Sequence, residues 1–92
     1  MLEKSDRFNA ELEIIVTFIA QDSVNRALKF FDEIIAKINN IPANPYTHRK
    51  RKSLNDENTR ELIYKGYTVP FFIDKEKNKV IILGIFNQNL WQ

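Results

Sequence analysis

Cysteine is absent, and histidine occurs only once, at His48, in a chain of 92 residues. The first absence removes a disulfide framework, a thiol nucleophile and every thiolate metal site, and it fits a reducing cytoplasm better than a secreted mini-protein. The second leaves no histidine or carboxylate cluster at ligand spacing, so neither a metal nor a cofactor is expected. Long apolar runs are missing too. The start, MLEKSDRFNAELE, is charged where an export signal carries an apolar core. The longest uncharged apolar stretch near it, residues 14–21, covers eight positions, well short of the roughly 20 that a membrane helix needs. Neither export nor membrane contact is expected, and the expected location is cytoplasmic.

What is present is ordinary globular composition, 43% hydrophobic and 28% charged, which argues against a disordered, collagen-like or coiled-coil chain. The length allows one domain over residues 1–92 with a core of modest size. A partner that covers apolar surface would add to the stability of so small a core. The net charge of +2 hides an asymmetry: residues 1–33 balance at −3 and residues 34–92 at +5. The basic half is where an anionic partner would land.

Phe8, Leu12, Ile15 and Ile19 recur at helical spacing, Val16 and Ala20 widen the stripe, and Arg7, Asn9, Glu11 and Glu13 mark the wet side, which predicts a helix over residues 6–21. Asp22 or Ser23 is placed to cap a second helix, whose apolar stripe is Val24, Ala27, Leu28, Phe31, Ile34, Ile35 and Ile38. Two helices joined by so short a turn lie antiparallel. Asn39 and Asn40, followed by Pro42 and Pro45, end the second one. Residues 42–59 have no clear period and hold the basic run Arg49, Lys50, Arg51 and Lys52. They are long for a loop in a small domain, and a short helix is expected near Asp56 to Thr59.

From Glu61 the period becomes two. Leu62 and Tyr64 alternate before Gly66 turns the chain, then Tyr67, Val69, Phe71 and Ile73 alternate again, which predicts a hairpin. The run VIILGIF, residues 80–86, is apolar on both faces and predicts a central strand, with Gly84 marking a close approach or a bend. Pro70 removes a ladder donor, so its strand is expected at an edge or bulged there. A short strand at residues 1–4 is expected ahead of the helices.

The segment FNAELEIIVTFIAQDSVNRALKFFDEI, the pair Asn44 and Pro45, then RELIYKGYTVPFFID and VIILGIF, taken in this order and at these spacings, resemble the RelE/ParE superfamily of bacterial type II toxins along nearly the whole chain. The resemblance implies an α+β fold in which an N-terminal antiparallel helical hairpin packs on a small antiparallel sheet. It also implies a growth-arresting toxin held inactive by a cognate antitoxin, with no small-molecule substrate. Members of the superfamily either cut messenger RNA on the ribosome or, like ParE, poison DNA gyrase without chemistry of their own. Nuclease members commonly carry an arginine on the second hairpin strand and a histidine or tyrosine just after the last strand. The corresponding positions here resemble Tyr67 and the tail Asn87, Gln88 and Asn89, and amides do not titrate. The ParE-like branch is therefore favoured, with gyrase the first target. The alternative is a ribosome-dependent endoribonuclease using Arg49, Arg51, Lys52 and Arg60 for phosphate charge and His48 or Tyr67 for proton transfer. A non-toxic binding module on the same scaffold is a third reading.

Each singled-out residue also has a plainer role. Arg49, Lys50, Arg51 and Lys52 read as an anion-contacting patch or as a solvated charged loop. Arg60 reads as a target contact or as a local partner of Asp56 and Glu57. His48 reads as a proton shuttle or as an incidental loop histidine. Tyr67 and Trp91 complete the expected target surface, and Trp91 alternatively packs back on the sheet. Phe30, Phe31, Phe71, Phe72 and Phe86 read as core, except for whichever of each adjacent pair points outward. Those outward rings, with Val24, Leu28 and Ile35, form the expected antitoxin-binding set: Val24, Leu28, Phe31, Ile35 and Phe72.

Overall fold

Two serines set the helical hairpin. In the computed structural model, which describes residues 1–51 and 56–87, the Ser5 hydroxyl oxygen accepts from the Phe8 amide at 3.1 Å and starts α1, Asp6–Asp22. Ser23 does the same for the Arg26 amide at 3.2 Å and starts α2, Val24–Asn39. The Ser23 amide also donates to the Ile19 carbonyl, so one extended residue closes the first helix and opens the second. Asp22, the other cap candidate, pairs instead with Arg26 at 3.3 Å.

Each helix buries a narrower stripe than its periodicity suggested. On α2 the buried residues are Ala27, Phe30, Ile34 and Ile38, whereas Val24, Leu28 and Phe31 stay exposed and Ile35 is half-buried. Phe30, absent from the expected stripe, fills the core, where it packs edge-on to Tyr67 at 5.2 Å between ring centroids. On α1, Phe8 and Leu12 are buried, and Ile14 and Phe18 face outward.

The sheet has the order β1, Leu2–Lys4; β5, Lys79–Ile82; β4, Tyr67–Asp74; β3, Thr59–Tyr64; β2, Arg49–Lys50. A final strand β6, Phe86–Asn87, also pairs with β4. The expectation of an antiparallel sheet is met except at β1, which runs parallel to β5. Val69, Phe71, Ile73, Val80 and Ile82 face the helices and join Phe8, Leu12, Phe30, Ile34 and Ile38 in one core. The region expected as a loop holds two short 3-10 turns, Ile41–Ala43 and Pro45–Thr47, each starting with or near a proline, and then β2. The short helix expected near Asp56 to Thr59 is not formed. Asp56 accepts from the Asn58 amide and the Thr59 hydroxyl, both at 2.9 Å, which makes a turn that feeds straight into β3.

Pro70 sits in the middle of the sheet, not on its edge, at a bulge. Phe71 pairs with Ile82 and Thr68 with Phe86, so two residues of β4 face three of the partner, Leu83, Gly84 and Ile85. The missing proline amide falls where the ladder is already broken, while its carbonyl accepts from the Leu83 amide at 2.9 Å. The bulge is held from the helix layer: Glu11 on α1 accepts from the Ile85 amide at 3.1 Å and is itself bonded by Arg7 at 3.2 Å. Gly84 is what permits this, since a Cβ there would lie 2.6 Å from the Glu11 carboxylate. Glu11, assigned by periodicity to the wet face, therefore fastens α1 to the sheet.

At the other end the hairpin turns through Lys65 and Gly66, with φ of 47° and 83°, the left-handed pair of a type I′ turn. Tyr64 donates its hydroxyl to Glu33 on α2, and Lys65 Nζ lies 3.3 Å from the same carboxylate. The tyrosine bond first and the lysine second hold Glu33 below the ordinary carboxylate range. Burial first and the Glu33 bond second push the Tyr64 phenol up.

Two outcomes follow. Gly84→Ala drives the Glu11 carboxylate off the Ile85 amide and is expected to cost about 1–3 kcal/mol in chemical denaturation, as is Glu11→Ala. The double variant is expected to cost little more than either single one, and full additivity would refute the shared contact. For the hairpin end, a lowered Glu33 value stabilises above its unfolded pKa and is lost as pH falls. A raised Tyr64 value stabilises below its unfolded pKa and is lost as pH rises. The gap in melting temperature between wild type and Tyr64→Phe is thus expected to be widest near neutrality, closing below about pH 4 and above about pH 10.

Candidate functional site

Side-chain alternation splits the basic run between the two faces of the sheet. Arg49 pairs with Glu61 and Lys50 with Arg60 in the β2–β3 register, so Arg49 and Arg51 point to the outer face, away from the helices, and Lys50 points to the inner one. On the outer face Arg49 donates to Glu61 Oε2 through Nε at 2.8 Å and Nη2 at 2.7 Å. Arg51 Nη1 lies 3.6 Å from Glu61 Oε1, with its guanidinium 5.5 Å from the Phe86 ring centroid. The Glu61 side chain is only 10% exposed and Arg51 17%, but Arg49 is 57% exposed. Thr68 and Phe72 share this face, as do Ile63 and Ile81. Lys50 instead grips Glu57 at 2.6 Å and holds that carboxyl below its usual range.

Arg60 is pinned inside the structure. Its Nε donates to the Glu57 carbonyl at 2.9 Å, and Nη1 donates to the carbonyls of His48 at 3.0 Å and Tyr46 at 3.3 Å. Its guanidinium also stacks over the Tyr46 ring at 5.1 Å. This is the local reading of Arg60, with Glu57 as its partner at 3.8 Å. His48 packs its ring edge-on against Phe71 at 5.3 Å, and its Nδ1 is buried without a hydrogen-bond partner among the described residues. Tyr67 is half-buried on the helix side, four residues along β4 from Phe71, a separation of roughly 13 Å. Of the six residues weighed for catalysis, the five described do not share one pocket: Arg49 and Arg51 lie on one face, His48, Arg60 and Tyr67 on the other and at opposite ends. Lys52 and Trp91 lie outside the described residues, as do Gln88 and Asn89. Among the described residues no three His, Cys, Asp or Glu side chains are grouped to hold a metal ion, and no helix is long and apolar enough to cross a membrane.

The expected apolar docking set divides as well. Val24, Leu28, Phe31 and Ile35 form one stripe on α2, three of them exposed, while Phe72 is half-buried on the far face of the sheet. Periodicity missed a second apolar surface, the pair Ile14 and Phe18, 69% and 71% exposed. They border a groove of about 430 Å³ between α1 and β6, completed by Ile15, Tyr67, Ile85 and Phe86. The signal was present: α1 carries more large apolar residues than one core-facing stripe can hold. Glu61 was also missed as a site residue, although an acid amid a strand of largely buried positions marks a place where a cation must meet it.

A family model described as the ParE toxin of the parDE type II toxin-antitoxin system matches residues 2–89. Among solved structures, a chain of the chromosomal ParDE system from P. aeruginosa superposes with a TM-score of 0.74 at 18% identity, covering 94% of this chain and 92% of that one. At that identity the likeness speaks to the fold. No curated protein sequence matches.

The pinned Arg60, 11% exposed, should act on stability first. Arg60→Ala leaves the carbonyls of Tyr46 and His48 without their charged donor and is expected to lower unfolding stability by about 2–3 kcal/mol, read by denaturant titration. A loss of function with unchanged stability would make Arg60 a target contact instead.

Proposed function

Because this chain belongs to the ParE toxins of parDE type II toxin-antitoxin systems, matched over residues 2–89, we propose that it arrests growth by binding and blocking DNA gyrase, and that a cognate antitoxin neutralises it. The observation that carries this reading is the dispersal of the nuclease candidates. Cutting RNA at the 2'-hydroxyl needs a base, an acid and phosphate-holding cations within hydrogen-bond reach of one scissile bond. Among the described candidates, Arg49 and Arg51 gather around Glu61 on the outer face, while Arg60 bonds backbone carbonyls and His48 packs against Phe71 on the other. Tyr67, half-buried, packs against Phe30 at the far end of β4. A protein that works by occupying its target needs none of these groups to converge. It needs a stable surface, which the sheet with Arg49 and Arg51 supplies.

The antitoxin is assigned to the helix layer. Val24, Leu28 and Phe31 on α2 and Ile14 and Phe18 on α1 are large apolar side chains left in water, and an amphipathic segment laid across them would recover that burial. Toxin and antitoxin surfaces then lie on opposite sides of the molecule.

The test is supercoiling of relaxed plasmid by purified gyrase, with cleavage of a translated message as its counterpart. The wild-type chain is expected to stop supercoiling and leave the message intact, and the protein encoded beside it is expected to restore supercoiling. Phe18→Asp is expected to inhibit as wild type does but to need about tenfold more of that protein for relief. Uninhibited gyrase together with cut transcripts would overturn the assignment.

A further inference from the structure

We propose that the outer-face cluster of Arg49, Glu61 and Arg51 is a carboxylate-receiving site, in which Glu61 is the internal occupant and the outward edge of Arg49 takes a second carboxylate from an acidic segment of a protein partner. A guanidinium presents two parallel-donor edges. Arg49 spends one of them, Nε and Nη2, on a single oxygen of Glu61. The other edge, ending at Nη1, belongs to a side chain that is 57% exposed. Glu61, 10% exposed, thus acts as the anchor that fixes the direction of the fork. Holding the guanidinium in place in advance spares an incoming anion part of the entropy of ordering it.

The charge count points the same way. Arg49, 57% exposed beside Glu61, lies in a half of the chain that balances at +5. The setting favours a protein over a nucleic acid. The same face carries Ile63, 39% exposed, and Leu83, 37% exposed, lies in the bulge beside Pro70. Those apolar neighbours suit a segment that mixes acidic and aliphatic residues. A phosphodiester backbone would need a track of cations on one face, which the described residues do not form. Alternation sends Lys50 to the opposite face, and Lys79, on the far strand, is already bonded to Glu3 at 2.9 Å.

The site rests on the binding reading only in taking this face as one that meets a protein. Loss of gyrase inhibition with peptide affinity intact would remove that target and leave the site standing. The experiment is fluorescence anisotropy on the full chain, using a labelled peptide of alternating glutamate and valine and a labelled oligothymidylate of matched length at the same ionic strength. Arg49→Ala is expected to weaken peptide binding about tenfold, and Lys77→Ala, which removes one charge from the remote β4–β5 turn, to change it less than twofold. Glu61→Gln keeps the shape, removes the competing charge and is expected to tighten binding about threefold. Arg49→Lys, which keeps the charge and loses the fork, decides the matter if the alanine variant does not fold: it is expected to lose most of the affinity. Equal losses for Arg49→Ala and Lys77→Ala, unchanged affinity in Glu61→Gln, wild-type affinity in Arg49→Lys, or tighter binding of the oligothymidylate would each overturn the proposal.

Discussion

The two-residue period of the central strand β4 is the constraint on which the rest depends. Once Val69, Phe71 and Ile73 face the helices, Thr68, Pro70 and Phe72 must face away, and the ladder transmits that parity to every neighbouring strand. Through β3 it sets Glu61 on the outer face, and through β2 it sets Arg49 beside it and Lys50 opposite. A one-residue slip of β3 against β4 would turn Glu61 toward the helix side and its apolar core. The cost of burying that charge unpaired is what fixes the register, and the position of the basic run follows from it.

The bulge at Pro70 is the second element that organises the molecule. An uninterrupted ladder through residues 79–87 would leave an unmet carbonyl opposite the proline nitrogen. Inserting one residue on the partner strand moves the break to the place where no donor exists. The freed Ile85 amide then needs an acceptor, and Glu11 reaches it across a glycine. This contact brings α1 close to β6 and makes the walls of the groove bordered by Ile14 and Phe18. A backbone defect in the sheet and an exposed apolar surface on a helix are thus parts of one solution.

Elements set by local periodicity were legible in the sequence: both helices, the hairpin around Gly66 and the early strand were all expected and are present, while the one strand expected over 80–86 is split into Lys79–Ile82 and Phe86–Asn87. The close approach at Gly84 was legible too, because a lone glycine in an apolar strand has few other uses. What was not legible depends on contacts between distant segments. A strand of two residues carries no period, so the faces taken by Arg49 and Lys50 could be read only from pairing with Glu61 and Arg60. The local partner of Arg60, Glu57, was legible, whereas its bonds to carbonyls twelve and fourteen residues away were not. The helix expected at Asp56 failed for a local reason: the aspartate bonds its own chain two and three residues on, which competes with helix formation. On α2 the true stripe lies one residue from part of the expected one, because hydrophobicity alone does not distinguish Phe30 from Phe31.

Formal charge and available charge differ in this fold, and the difference bears on how the toxin meets a partner. The basic half balances at +5, yet Arg49 and Arg51 are engaged by Glu61, Lys50 by Glu57, Lys65 by Glu33 and Lys79 by Glu3. Arg60 is directed into the structure and held on carbonyls. Such pairs are individually weak when exposed, but each one orients its cation and cancels its field beyond about a Debye length. Among the described residues, the outer surface carries its arginine charge as guanidinium groups directed by Glu61. Directed guanidinium edges discriminate by geometry, which a diffuse basic patch does not. A small chain can in this way keep a net charge near zero and still present a specific electrostatic contact.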